Sequence, residues 1–238
     1  MQFSVNKWAA WAPGFQLASQ WRDWHQQAGS VLPAPGKEPA EGPDVSWVPA
    51  AQRRRLSLLT RMQLACAKEV IGDDSLPVVF ACRHGELHRT FQLLTSLGQS
   101  EPLSPTHFSL SVHNAAAGLF GILRADQAPA NVVVGDDDSL ILGLVEAYAT
   151  LAEGADEVLL VAGEQSVPAP YGSYMDGEQV DHALAVRLVR GSDITVARSD
   201  NRSAQTGYLP LAMQMAGLLA SNSSGTLQCN GKEWQWQR

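Results

Sequence analysis

Ser139–Ala152 (SLILGLVEAYATLA) is apolar on almost every side, with Leu140, Ile141, Leu142, Leu144, Val145, Ala147, Tyr148 and Leu151 spread around the turn. A helix of that kind is buried on most of its circumference. It stands between NVVVG and EVLLVAG, two β-branched runs that read as strands. Strand, buried helix and strand in succession make the unit of an α/β sheet.

The same alternation continues on both sides of this unit. LPVVFACR reads as a buried strand, followed by a helix over Glu86–Leu97. Ahead of it, Arg53–Val70 carries Leu56, Leu59, Met62, Leu64, Ala65 and Ala67 at helical spacing. Phe3, Val5, Trp8 and Trp11 predict an opening strand, and Trp21 and Trp24 share one face of a helix over Ser19–Ala28. LPAPGKEPAEGPD is a loop, because proline and glycine punctuate regular structure. Phe108–Leu123 is a further apolar, alanine-rich stretch, and HALAVRLV (182–189) alternates only in part, as expected of an edge strand. A helix over Leu209–Ala220 and the tail TLQCNGKEWQWQ follow.

The chain has 238 residues, 45% of them hydrophobic and 17% charged, which excludes disorder throughout and suits one domain with a sizeable core. No apolar stretch reaches the roughly 18 residues of a membrane span, and the opening residues do not read as a signal peptide. Seventeen basic against twenty-four acidic side chains give a net charge of −7, so nucleic acid and anionic membrane are not expected as partners. Cys66, Cys82 and Cys229 are odd in number and widely spaced. They fit neither a disulfide framework nor a zinc site, and point to a reducing, cytoplasmic compartment.

VVVGDDDSL is the most conspicuous chemical feature, three carboxylates where a strand turns into the buried helix. Two readings stand side by side. Asp suits a helix N-cap and first turn. A D-x-D pair at the head of an α/β sheet could instead hold magnesium, although no basic phosphate clamp is evident in the neighbouring sequence. His84 and His88, four apart, are expected on one helix face as a surface pair, and His113 beside Ser109 and Ser111 as a hydrogen-bonded structural histidine. No catalytic set, metal site or cofactor site assembles from these residues.

Three phrases follow in order: SPTHFSLSVHNAAAG, ILRADQAPANVVVGDDDSL and AYATLAEGADEVLLVAGEQ. Asn114–Gly118, Gly154–Asp156 and Gly163-Glu164 resemble the N-x-x-A-G helix, the G-x-A-D turn and the G-G-x-E strand end of the β-ketoacyl synthases. WAAWAPG, FACRHGELHRT and SLSVHN are similar to the short ketosynthase-like subunits of bacterial aryl polyene type clusters. The resemblance implies the N-terminal half of a thiolase-like fold: one five-stranded mixed sheet of order 3-2-1-4-5 with helices on both faces. HALAVRLV is then antiparallel at the far edge and NVVVG lies away from the centre. It covers residues 1–190, and 191–238 is expected as a short extension packing on the same domain.

Two departures bear on activity. Counting from Asn114–Gly118 sets the family's nucleophilic cysteine at Asp137, or Asp136 if the alignment shifts by one, and a carboxylate forms no acyl thioester. The family's two catalytic histidines belong to a C-terminal half, whereas the last histidine here is His182. The resemblance therefore implies a chain length factor with no condensing activity of its own, paired with a full-length ketosynthase. Acyl carrier protein would be engaged transiently through that complex. His107, Phe108, Leu110, Val112, His113 and Asn114 would face the partner's acyl tunnel. Asn131, Val132, Val133, Val134 and Gly135 would form the strand at the dimer edge. A homodimeric acyl or carrier-protein binding module is the alternative, with a D-x-D phosphotransfer enzyme using Asp136 and Asp138 more remote. Lastly, Leu209–Arg238 is expected to cover the apolar helix Ser139–Ala152.

Overall fold

The computed structural model describes residues 1–27, 42–175, 177, 179–201 and 208–238. Among them, seven strands form one mixed sheet: β1 (Gln2–Trp11), β2 (Val78–Ala81), β3 (Ala130–Val133), β4 (Glu157–Glu164), β5 (His182–Arg198), β6 (Gly225–Cys229) and β7 (Lys232–Gln237). The helices are α1 (Ala18–Gln26), α2 (Ala50–Arg53), α3 (Leu58–Ile71), α4 (Leu87–Gly98), α5 (Pro105–Ser109), α6 (Ala115–Arg124), α7 (Ser139–Ala152) and α8 (Leu211–Ser221). Residues 28–41, which hold Ala28 and most of the proline-rich loop, lie outside the description.

The α/β class holds, and three details of the expected sheet are corrected. There are seven strands rather than five. The order is β3-β2-β4-β5 with β1 beyond β5, so β1 is not central as 3-2-1-4-5 requires. HALAVRLV opens β5, which is antiparallel but interior, flanked by β4 and β1. Its side chains explain why. Ala183 and Ala185 enter the core beneath α3, while Leu184, Val186 and Leu188 enter the core on the opposite face. A strand apolar on both faces needs neighbours on both edges and cover on both sides. β5 then runs on past Arg190 and Gly191 to pair with β7, so one strand joins the body of the sheet to the C-terminal hairpin β6–β7.

Among the described residues β3 occupies the open edge, paired only with β2. Its regular pairing ends at Val133, so Val134 and Gly135 extend beyond the ladder. The predicted helix over Arg53–Val70 is split, because Ser57 Oγ accepts from the Thr60 N–H at 3.0 Å and caps a new start for α3. The apolar stretch from Phe108 likewise divides into the end of α5 and the separate α6.

Helices cover both faces of the sheet. On one side α3 and α6 pack Met62, Leu64, Ile71 and Phe120 against Val78, Phe80, Leu159 and Val161. On the other, α7, α8 and α1 bury Leu140, Leu144, Met213, Met215 and Trp21 against Leu160, Leu184 and Val186. Trp24 meets Phe15 and Trp21 edge to face where α1 meets α8. The tail therefore fills the core beside α7 rather than covering its outer side. Leu142, Val145 and Tyr148 of α7 stay exposed.

Candidate functional site

The corner between β3 and α7 is where the three carboxylates gather partners. Gly135 leads into it, with Leu142 packed so closely that a Cβ there would stand 2.3 Å from Leu142 Cδ1. Asp136 adopts left-handed backbone (φ 54°), which costs an L-residue about 1–2 kcal/mol. Capping does not account for the run. Ser139 Oγ donates to the Asp136 carbonyl at 2.6 Å and accepts from the Gly135 N–H, while Asp138, at the N-cap, makes no side-chain cap bond.

The carboxylates are held by cations and hydroxyls from distant elements. Arg83, just past β2, pairs with Asp136 at 2.5 Å and with Asp137. Asp137, 10% exposed, also accepts from the Tyr208 hydroxyl at 2.8 Å. Asp138 pairs with Lys232 on β7 and accepts from the Cys229 thiol at 3.4 Å. Arg83 and Lys232 are the basic groups that the sequence reading did not find. Both lie far along the chain, and only the fold brings them here. They occupy the Asp136 and Asp138 carboxylates, so the pair is not free to grip a magnesium phosphate. Among the described residues no cluster of His, Cys, Asp and Glu is arranged to hold a metal ion.

A cleft of about 90 Å³ opens beside the corner, bounded by Arg83, His84, Asp137, Glu164, His182 and Tyr208. Glu164 ends β4, and its carboxylate accepts from the backbone N–H of Arg83 and, at 3.4 Å, of His84. Loss of solvent pushes Glu164 up to about 7, against the pull of those donors and of the Arg83 charge. His84 lies in the turn before α4 rather than on the helix, so it shares no helix face with His88. Burial and the Arg83 charge hold its pKa below the usual value, and burial does the same for His182. His113 is the structural histidine expected: its ring covers Gly85, which has φ 54°, and its Nε2 lies 3.4 Å from the Arg83 carbonyl.

No thiol in the chain is activated. Cys66, Cys82 and Cys229 are all buried. Burial and the Glu164 carboxylate push Cys82 up to about 12, and burial raises the other two, with Asp138 adding to the rise at Cys229. The segment proposed to face a tunnel is largely surface. His107, Phe108, Val112 and His113 are exposed, Phe108 at 66%; Leu110 is half-buried, and Asn114 begins α6 without a side-chain cap bond. His113 joins this segment to the Arg83 corner.

The titration of Glu164 makes a testable difference. Its folded-state pKa lies above the ordinary 4.5, so it favours the fold while protonated, and that contribution is lost as pH rises toward about 7. His84 and His182 are shifted down and act oppositely, opposing the fold as pH falls below the ordinary 6.5. Glu164→Gln removes only the first effect. Urea denaturation should show the variant gaining on wild type by on the order of 3 kcal/mol between pH 4.5 and 7.5. A difference that does not change with pH would count against this assignment.

The layered sheet, its parallel β3-β2-β4 edge and the tight corner after β3 define a thiolase-like half-fold of ketosynthase type. The model of the β-ketoacyl synthase N-terminal domain matches residues 21–237, and the chain belongs to that family. Among solved structures, it is similar to a chain of the ketosynthase ApeO in complex with its chain length factor ApeC from Xenorhabdus doucetiae. The identity is 27% and the TM-score 0.89, with all of both chains covered. The ishigamide ketosynthase/chain length factor is similar at 16% identity and TM-score 0.64, over 84% of this chain and 67% of that one. A chain of AntDE:AntF, a type II polyketide acyl-carrier protein with its ketosynthase, matches at 11% and TM-score 0.61, over 83% and 69%. The last two likenesses concern the fold. A comparison with curated proteins gives no significant match. No helix among the described residues is long and apolar enough to cross a membrane.

Proposed function

We propose that the chain is a chain length factor: a non-catalytic ketosynthase-like subunit that pairs with a complete β-ketoacyl synthase and bounds its acyl tunnel. The observation that carries this reading is the corner itself. Where the count from Asn114–Gly118 sets the family's nucleophile, Asp136 and Asp137 are tied to Arg83, and every cysteine is buried. Condensation in this family needs a thiolate to accept the acyl group, and burial disfavours that form at each of the three cysteines. The likeness over full length to a chain of a ketosynthase–chain length factor complex supports the same role.

Pairing would use the open β3 edge, which carries Asn131, Val132 and Val133, together with Val134 and the apolar outer side of α7. Residues 107–114 would then approach the partner, where Phe108 and Val112 could form part of a tunnel wall. Apolar walls limit how far a growing acyl chain extends, so a subunit without chemistry can still set product length. Assembly of an aryl polyene is the product class that this reading favours.

The test is co-expression with a complete ketosynthase, followed by assay of each component. The pair should co-purify. The lone chain, given malonyl- and acyl-loaded carrier protein, should release no carbon dioxide above background. Leu142→Asp with Val145→Asp should weaken capture at least about tenfold, as expected for charges set into an apolar contact. Turnover by the lone wild-type chain that Asp137→Ala abolishes would refute the non-catalytic reading.

A further inference from the structure

No Lys or Arg occurs between Arg124 and Arg187, the stretch that contains β3, α7 and β4. That stretch includes the open edge. Beside β3, α7 exposes Leu142, Val145 and Tyr148, and α6 exposes Ile122. Along β3, α7 and the turns that flank them, residues 125–156, every charged side chain is a carboxylate. Glu146 accepts from Asn131 Nδ2 on β3 at 2.6 Å, and Glu153 follows the end of α7 on the exposed surface. Asp136, 69% exposed, stands at the other end of the helix. Arg83 is shared between Asp136 and Asp137, which leaves that corner net negative. Arg124, at the end of α6, is 7% exposed and engaged by Asp126 and by the carbonyls of Gly72 and Asp74.

An isologous contact repeats each feature of one surface across a two-fold axis. A second copy would therefore set one acidic border against another, and residues 125–186 supply no Lys or Arg to answer it. An open strand edge and an apolar stripe favour association, while the acidic border opposes self-association. We propose that this face takes a chain of different sequence whose matching strip carries Lys or Arg, and that Glu146 and Glu153 discriminate against a second copy. The inference rests on the pairing role proposed above and adds the chemistry of the partner to it.

Sedimentation velocity of the full chain alone provides the test. At low ionic strength the wild type should be monomeric, and raising salt should strengthen self-association by screening the border. The double variant Glu146→Gln with Glu153→Gln should self-associate at least about tenfold more tightly than wild type at low salt, and lose most of the salt response. A wild type that dimerises at low salt overturns the proposal. So does a double variant that stays as monomeric as wild type. If no ketosynthase is captured but the double variant self-associates as described, the pairing role fails and the charge discrimination stands. If the ketosynthase is captured and neither salt nor the double variant alters self-association, the charge discrimination alone fails.

Discussion

A chain ending at Tyr208 is expected to be insoluble, or to retain helical circular dichroism without a cooperative melting transition. Leu211, Met213, Met215, Leu218, Leu219, Leu227, Trp234 and Trp236 are all buried in the core shared with α7 and the centre of the sheet. Burial of side chains of this size stabilises by about 1.5–3 kcal/mol each. Their joint loss exceeds the net stability of about 5–15 kcal/mol typical of a domain. The truncation also strips β7 from Thr195–Arg198, uncovers Trp21 and Trp24 on α1, and removes Lys232 and Cys229 from the Asp138 carboxylate. Co-expression with a ketosynthase should not rescue it, because the lost contacts lie inside the chain. Trp236→Ala is the milder probe. Trp236 is fully buried against Phe3, and its truncation should cost about 3–5 kcal/mol by urea denaturation. A soluble truncated chain that melts cooperatively near the wild-type temperature would contradict this account.

Arg83→Met should cost about 3–5 kcal/mol, the range for breaking a buried ion pair from one side. Asp137 is 10% exposed and would keep only the Tyr208 hydroxyl, while Asp136 would hold left-handed backbone with no cation beside it. A double-mutant cycle with Asp137→Asn isolates the pair, and a coupling above about 1 kcal/mol is expected. Additive effects would mean that Arg83 acts through packing alone. Carbon dioxide release should be absent from all of these variants, as from wild type.

The parts of the fold legible in the sequence were those set by local pattern. Ser139–Ala152 reads as a buried helix because its apolar residues surround the axis, and VVFA and EVLLVAG read as strands because they are short and β-branched. The pattern cannot say that Leu142, Val145 and Tyr148 stay uncovered, since an apolar residue awaiting a partner has the same side chain as one in a core. HALAVRLV misled for a different reason. Its alanines are small core residues beneath a helix, and their size resembles the weak side of an edge strand. The site was legible only as a place. Asp136, Asp137 and Asp138 are three identical side chains whose partners lie 54, 71 and 94 residues away at Arg83, Tyr208 and Lys232. Glu164 was visible through family resemblance, yet its raised pKa arises from the burial that the finished sheet imposes.

The pairing of β1 with β5 has a kinetic consequence. Phe3 is registered against Ile194, so the first strand waits for a partner about 190 residues later in the chain. At a synthesis rate of about 5–20 residues per second, that wait lasts roughly 10–40 s on the ribosome. During it the Trp8–Trp11 end of β1, which is apolar and meant for the interior, has no native neighbour along its edge. Pairings this distant also slow refolding, because the intervening loop must close before any contact rewards it. Nascent chains of this protein should therefore depend on holding chaperones until β5 has emerged.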